Sequence, residues 1–392
     1  MARIALLGCG LIGDFYAQAL LGQRSRDQIR IAYSRTPERL AQFRAKWGVP
    51  YGTTDMLQAI EHPEVEVVVI ATPNHLHEQA AIAAARAGKA VLCTKPLGRN
   101  AQEAYRMLQA VEQAGVFHGY LEDLVYTPKT LKALDTVRSG SLGSILWVRS
   151  RETHPGPHSS WFWDKELAGG GAIVDMGCHC IEIARNFIGK KIRPIEVVCW
   201  GATQVHPIDS EDHAIGLVRY ENGAIGQFEV SWSFRGGMDL RDEIVGTEGT
   251  IWLNHWLRTG IEVFSANGSQ DYVAEKSESS KGWMFPVGNE ASALGYLDMF
   301  ENMLNAYDAR TTPHETFFDG YVVNAIVDAA YRSMELKRWE PIHLERWEYA
   351  SSSPSDTNKQ DGEFEIIKRE LLPDGTARMI VKNLKTGQIE NR

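Results

Sequence analysis

Asp175 and His179 stand four residues apart in GGGAIVDMGCHCIEIARNFIG, residues 169–189. On a helix that spacing puts both side chains on one face. A carboxylate beside an imidazole orients the ring and raises its basicity, which suits a general base. The same pair equally suits a structural hydrogen bond. Cys178, His179 and Cys180 invite a zinc reading, but adjacent helical residues diverge by about 100° and cannot close around one ion. No metal is expected. A second stretch, VLCTKPLGRN at residues 91–100, ends an apolar run on Lys95 and Pro96. A buried strand that offers an ammonium group and then fixes its own backbone is more specific than a solvated surface lysine requires.

Gly8-Cys9-Gly10-Leu11-Ile12-Gly13 fits GxGxxG. The first glycine allows a tight turn, the second lets backbone approach a pyrophosphate, and the third permits close helix–strand packing. Where the second strand ends, an NAD enzyme usually places Asp or Glu against the ribose hydroxyls. Here stand Ser34, Arg35 and Thr36, with Arg39 one helical turn on. A guanidinium among hydroxyls suits a 2′-phosphate, which favours NADP over NAD. Thr72, Pro73 and Asn74 follow a long apolar run, at the strand ends where open α/β sheets bind ligands. His75 and His77 form an HxH, but His77 fits a first helical turn near the nicotinamide end better than a metal. In HPGPHSSWFWD (154–164), His154, His158, Trp161 and Trp163 offer hydrogen bonds and a flat apolar face to a ring. Core aromatics beneath a loop fit that stretch as well. Arg235 and Asp239 are weaker candidates.

Strand and helix patterns alternate over residues 1–122: RIALLG, then 12–22; IRIAYS, then 37–47; VEVVVIAT, then 77–88; AVLCT, then 102–115; VFHGYL. That order reads as a doubly wound parallel Rossmann sheet. After about residue 143, strand-like runs are separated by turns such as ENGA (221–224) and TEGT (247–250). They predict an α+β domain over 123–345 with a large, mostly antiparallel open sheet. Helices follow at 291–309 and 320–337. SSSPSDTNKQDGE (351–363) reads as a linker within a C-terminal extension, 346–392, with a hairpin around Pro373-Asp374-Gly375. With 392 residues two domains are the starting assumption. A net charge of −9 argues against a nucleic-acid surface. An odd set of five cysteines suggests reduced thiols and a cytoplasmic protein. No cationic leader and no membrane-spanning apolar run is evident in the sequence.

The order GCGLIG, TPNHLH, TKPLGRN, GGGAIVDMGCHCIE resembles the Gfo/Idh/MocA oxidoreductases, over roughly residues 1–342. The resemblance implies hydride transfer between NAD or NADP and a ring hydroxyl or ketone of a sugar, glycoside or inositol. It also implies a homodimer or homotetramer built on the open sheet. By position, the family's strand-end lysine is Lys95, which polarises the reacting oxygen and can share the proton relay. The family's Asp and His match Asp175 and His179: His179, oriented by Asp175, takes the hydroxyl proton. The family's glutamate before the lysine is Thr94 here. Where many members carry an asparagine- and arginine-containing turn, this chain reads Gly119-Tyr120-Leu121-Glu122-Asp123. Two other functions known among relatives are a glycosidase using transient oxidation by a retained nicotinamide and a non-catalytic cofactor sensor. The joint presence of Lys95, Asp175 and His179 argues against the sensor.

Overall fold

The computed structural model describes residues 1–22, 26–256, 261–268, 273–277, 279–349, 364–371 and 377–391. They form two compact units, Met1–Trp347 and Glu348–Arg392.

The first half of the larger unit alternates β1 (Arg3–Leu7), α1 (Leu11–Gly22), β2 (Gln28–Tyr33), α2 (Pro37–Trp47), β3 (Tyr51–Thr53), α3 (Met56–Ile60), β4 (Val67–Ile70), α4 (His77–Arg86), β5 (Ala90–Thr94), α5 (Ala101–Ala114) and β6 (His118–Leu121). The strands pair in parallel in the order β3-β2-β1-β4-β5-β6. β4 and β5 are buried at every position, as a sheet covered on both faces requires. Strand order reverses between β1 and β4, and the crevice above that switch point is where such sheets take ligands.

A short helical turn and α6 (Pro128–Arg138) lead into β7 (Ile145–Thr153), α7 (Lys165–Ala168) and α8 (Cys178–Ile188). Then come β8 (Pro194–Ala202), β9 (His213–Tyr220), β10 (Ile225–Ser231), β11 (Asp239–Gly246) and β12 (Thr250–Asn254). After the short pair β13 (Val263–Ser265) and β14 (Gly282–Met284), helices α9 (Glu290–Ala293), α10 (Tyr296–Ala309) and α11 (Phe317–Leu336) precede β15 (Glu340–Pro341). The second sheet runs β12-β11-β7-β10-β9-β8-β15. Its pairs are antiparallel except β7 with β10. The two turns read from the sequence join β9 to β10 and β11 to β12. Along β7, Val148, Ser150 and Glu152 point inward toward α8, while Trp147 and Arg149 are exposed. The helical run Lys165–Ile188 reaches the length and apolarity of a membrane span, which sequence reading did not credit. Yet 89% of its most apolar window is buried inside the protein, as a core helix is.

The smaller unit is a three-stranded antiparallel sheet, β16 (Phe364–Leu371), β17 (Ala377–Asn383) and β18 (Ile389–Asn391). The expected linker at 351–363 and the turn at Pro373-Asp374-Gly375 lie outside the described residues.

Candidate active site

The glycine turn sits between β1 and α1. Gly8 has φ +118°, and a Cβ there would lie 2.2 Å from the Ala71 carbonyl oxygen, so only glycine is accommodated. Gly10 is different: a Cβ on it would meet nothing within 4 Å. The protein leaves that space open just where backbone must approach a pyrophosphate. Nearby, the buried hydroxyl of Thr72 has no hydrogen-bond partner among the described residues. Both features fit a dinucleotide lying along the start of α1. From here a cavity of about 690 Å³ runs past Gly8–Ile12, Ser34–Thr36, Arg39 and Thr72–Asn74 to Thr94 and Lys95. Arg35 and Arg39 are exposed on its wall, and among the described residues neither forms an ion pair.

The cavity continues between the two sheets to His154, His158, Trp161, Asp175 and His179. β5 delivers Lys95, whose Nζ donates to the Asp175 carbonyl oxygen (2.8 Å) and to Asp175 Oδ1 (3.1 Å). Trp232, fully buried, donates through Nε1 to Asp175 Oδ2 at 3.0 Å. His154 accepts from the Gly156 N–H at Nδ1 (3.0 Å), leaving Nε2 3.7 Å from Asp175 Oδ2. Burial alone would lower the Lys95 pKa. The carboxylate of Asp175, with Cys178, Glu152 and Asp123, outweighs it and holds the ammonium well above its ordinary range. Burial likewise works to raise Asp175, but Lys95 and His154 together hold it well below the carboxylate range. Lys95 is thus held as a cation, which suits it to polarising an oxygen.

The sequence paired Asp175 with His179; the structure gives that place to Glu122. Residues Ile173–Gly177 form a π-helical turn ahead of α8, wider than an α-helical one, so the i, i+4 stacking is lost. Asp175 turns to Lys95 and Trp232, and His179 Nδ1 hydrogen-bonds Glu122 Oε1 at the end of β6. Both residues are buried, Glu122 completely. Burial pushes Glu122 up to about 8, partly opposed by Lys95. Burial together with the Lys95 charge pulls His179 down to about 3. The pair titrates as a unit. With Glu122 ionised, Nδ1–H donates to it and Nε2 carries a free lone pair, ready to accept a proton. With one proton more, the carboxyl O–H donates to Nδ1 and Nε2–H is a donor. Asp123, the next residue, lines the cavity and is pushed by burial up to about 7.

Other expected positions fall elsewhere. His77 is fully buried and does not line the cavity; its ring nitrogens meet the Pro96 (2.9 Å) and Thr72 (2.8 Å) carbonyls, tying two loops together. Trp163 lies beneath the loop, edge-on to Trp232 at 5.4 Å, while Trp161 and Phe162 line the cavity. Asp239 pairs with Arg151 and Arg241 on the second sheet, and neither Asp239 nor Arg235 borders the cavity. Sequence reading missed Glu152, Glu275 and Lys276, all on the cavity wall. It noted Glu122 and Asp123 only as a departure. The signal for Glu152 was present: it continues the inward alternation of Val148 and Ser150, where a carboxylate is out of place.

Among the described residues, two groups bring metal-ligating atoms within 4.8 Å of one another: Glu122, Asp123 and His179, and Glu182, Glu315 and Asp319. In the first, Glu122 and His179 already bond each other. In the second, each carboxylate already pairs with Arg185 or Lys190.

Comparison with known proteins adds a separate finding. Residues 2–120 match an oxidoreductase family with an NAD-binding Rossmann fold, and residues 130–252 match the GFO/IDH/MocA C-terminal domain. Levoglucosan dehydrogenase of Pseudarthrobacter phenanthrenivorans is 29% identical over 80% of this chain and 89% of its own length. Myo-inositol 2-dehydrogenase of Thermotoga maritima is 28% identical over 86% and 97%. The structure of GenD2 from gentamicin A biosynthesis, in complex with NAD, superposes with a TM-score of 0.81. It is 30% identical, over 88% of this chain and 97% of that one.

Proposed function

The chain belongs to the GFO/IDH/MocA oxidoreductase family, and from that premise we propose that it is a nicotinamide-dependent dehydrogenase or reductase of a sugar, glycoside or inositol. The observation that carries this reading is one continuous cavity joining the open Gly10 cradle to Lys95, Asp175 and the His179–Glu122 pair. When bound, the nicotinamide accepts or returns the hydride. The chain's own groups supply the rest. Lys95, kept cationic by Asp175, donates to the reacting oxygen and stabilises negative charge developing there. His179 Nε2 takes the hydroxyl proton in the oxidative direction and returns it in the reductive one, with Glu122 holding Nδ1. Asp175, fixed by Trp232 and Lys95, positions the ammonium. The aromatic wall at Trp161 and Phe162 covers the ring and excludes water. The test is nicotinamide absorbance with NAD and NADP across inositols, aldoses and glycosides. Turnover with one ring class is expected, and bound cofactor without any turnover would contradict the reading.

Three finer assignments belong to the same proposal. Arg35 and Arg39, with Ser34 and Thr36, favour the 2′-phosphate of NADP because no carboxylate there repels it. The open face of the second sheet, with Trp147, Trp200 and Trp252 exposed by 47%, 54% and 74%, is the homo-oligomer interface. Light scattering on the intact protein, against Trp252→Glu, tests it; a monomer would overturn it. Five unpaired, buried cysteines fit a reducing, cytoplasmic compartment; recovery from cells with an oxidised, disulfide-linked chain would contradict that.

A further inference from the structure

Beyond its charge near Lys95, Glu152 has no role in the chemistry above, yet it sits at the substrate end of the cavity. Its residue surface is 7% exposed, and among the described residues its Oε2 has no hydrogen-bond partner. A buried carboxylate oxygen without a donor is costly, and native proteins keep such groups where a ligand or water completes them. Its surroundings do not supply that partner. Lys95 is committed to Asp175, Lys276 donates to the Gly156 carbonyl at 2.8 Å, and Glu275 faces His158 at 3.4 Å. Four carboxyl groups, Asp123, Glu152, Asp175 and Glu275, thus line this end against two lysines. Carboxyl groups outnumber lysines on this wall, and a substrate that carries hydrogen donors suits it.

Resting on the dehydrogenase reading, we propose that Glu152 is the specificity-determining acceptor of the site, taking hydrogens from a hydroxyl or ammonium substituent on the substrate ring at a carbon other than the one oxidised. A hydroxyl and an ammonium share this chemistry, and the surplus of carboxylates suits either. The position holds because β7 places Glu152 inward beside His154, two residues on, and the strand cannot yield without moving the sheet. Burial raises the free carboxyl well above its ordinary range, so a donor that stabilises the anion is bound in exchange for a proton. The bland alternative is a water. A second cavity of only about 10 Å³, bordered by Glu152, Ser150, Cys180, Asp242 and His255, is at the lower limit for holding one.

The experiment takes the fastest ring among D-glucose, levoglucosan and myo-inositol and compares kcat/KM with its monodeoxy and monoamino congeners, on the wild-type protein and Glu152→Gln. A site built to bond a donor rejects the analogue that lacks it. One deoxy position should therefore cost the wild type at least about a hundredfold, and Glu152→Gln should shrink that penalty to within about fivefold. If the donor is an ammonium, the amino congener at that position outpaces the hydroxyl one and Glu152→Gln reverses the order. If it is a hydroxyl, the order is the opposite in the wild type. Either supports the inference. Should the glutamine variant fail to bind cofactor, Glu152→Asp serves, with the penalty changed at that one position only. Equal rates for all deoxy congeners, or a penalty untouched in both variants, overturns it and leaves Glu152 to the water. Turnover of no ring with either cofactor, while cofactor binds, refutes the dehydrogenase reading and this inference with it.

Discussion

Replacing Glu122 with glutamine isolates the role of the buried pair. Glutamine keeps the shape and still accepts from His179 Nδ1, so Nε2 retains its lone pair. What disappears is the negative charge that stabilises the imidazolium formed when Nε2 takes a proton. A hydrogen bond to a charged group is worth about 1.5–3 kcal/mol. At 1.36 kcal/mol per tenfold, that predicts a fall of about 10- to 150-fold in kcat for oxidation. The pH profile carries the sharper signature. In the wild type the proton-accepting form requires Glu122 ionised, and burial holds that group up to about 8. Oxidative kcat/KM should rise with pH through that region, and reduction should fall through it. In Glu122→Gln this inflection should vanish, because His179, held down to about 3, does not titrate in the working range. The other groups facing His179 do not mimic the change. Lys95 is held well above its ordinary range, Asp175 well below, and Asp123 near 7 is separable by Asp123→Asn. The assay is steady-state kinetics in both directions, with a primary deuterium isotope effect to show that chemistry is observed. A Glu122→Gln enzyme within twofold of wild type, or one keeping the inflection near 8, would refute the dyad.

Lys95→Ala should abolish measurable turnover while changing cofactor affinity less than about threefold; near-normal turnover would remove its role at the reacting oxygen. Arg35→Ala should weaken NADP at least about tenfold more than NAD in direct titration, and equal losses would contradict the 2′-phosphate assignment. Gly8→Ala and Gly10→Ala should separate fold from binding. The first, with its Cβ 2.2 Å from the Ala71 carbonyl, should lower Tm by several degrees. The second should leave Tm unchanged and weaken cofactor binding. The reverse pattern would mean that the Gly10 space is not a cofactor cradle.

Much of this was legible from local pattern. β5 is a fully buried run ending at Lys95, and α2 opens on Pro37 and closes on Gly48 in the left-handed conformation, all readable from residue type. The mostly antiparallel second sheet was legible in turns such as 221–224, whereas its seven-strand order was not. The pairing of His179 was not legible in the same way. Its partner Glu122 is 57 residues away. The π-helical turn over Ile173–Gly177 leaves no mark on the apolar spacing that suggested Asp175 instead. Trp161 and Trp163 carry identical local signals, and only the position of Trp232 decides which faces the cavity and which packs beneath it. Glu275 and Lys276 fall in an irregular segment where periodicity has nothing to say.

Following the hydrogen itself tests the central claim most directly. Ring substrates deuterated at each carbon in turn would be incubated with the protein and oxidised cofactor, and the reduced nicotinamide examined by mass spectrometry and NMR. Stoichiometric transfer of deuterium from one ring carbon to the nicotinamide, absent in Lys95→Ala, is the predicted result. Cofactor that stays bound with no net reduction while a glycosidic bond is cleaved would contradict it and point to transient oxidation in the service of hydrolysis.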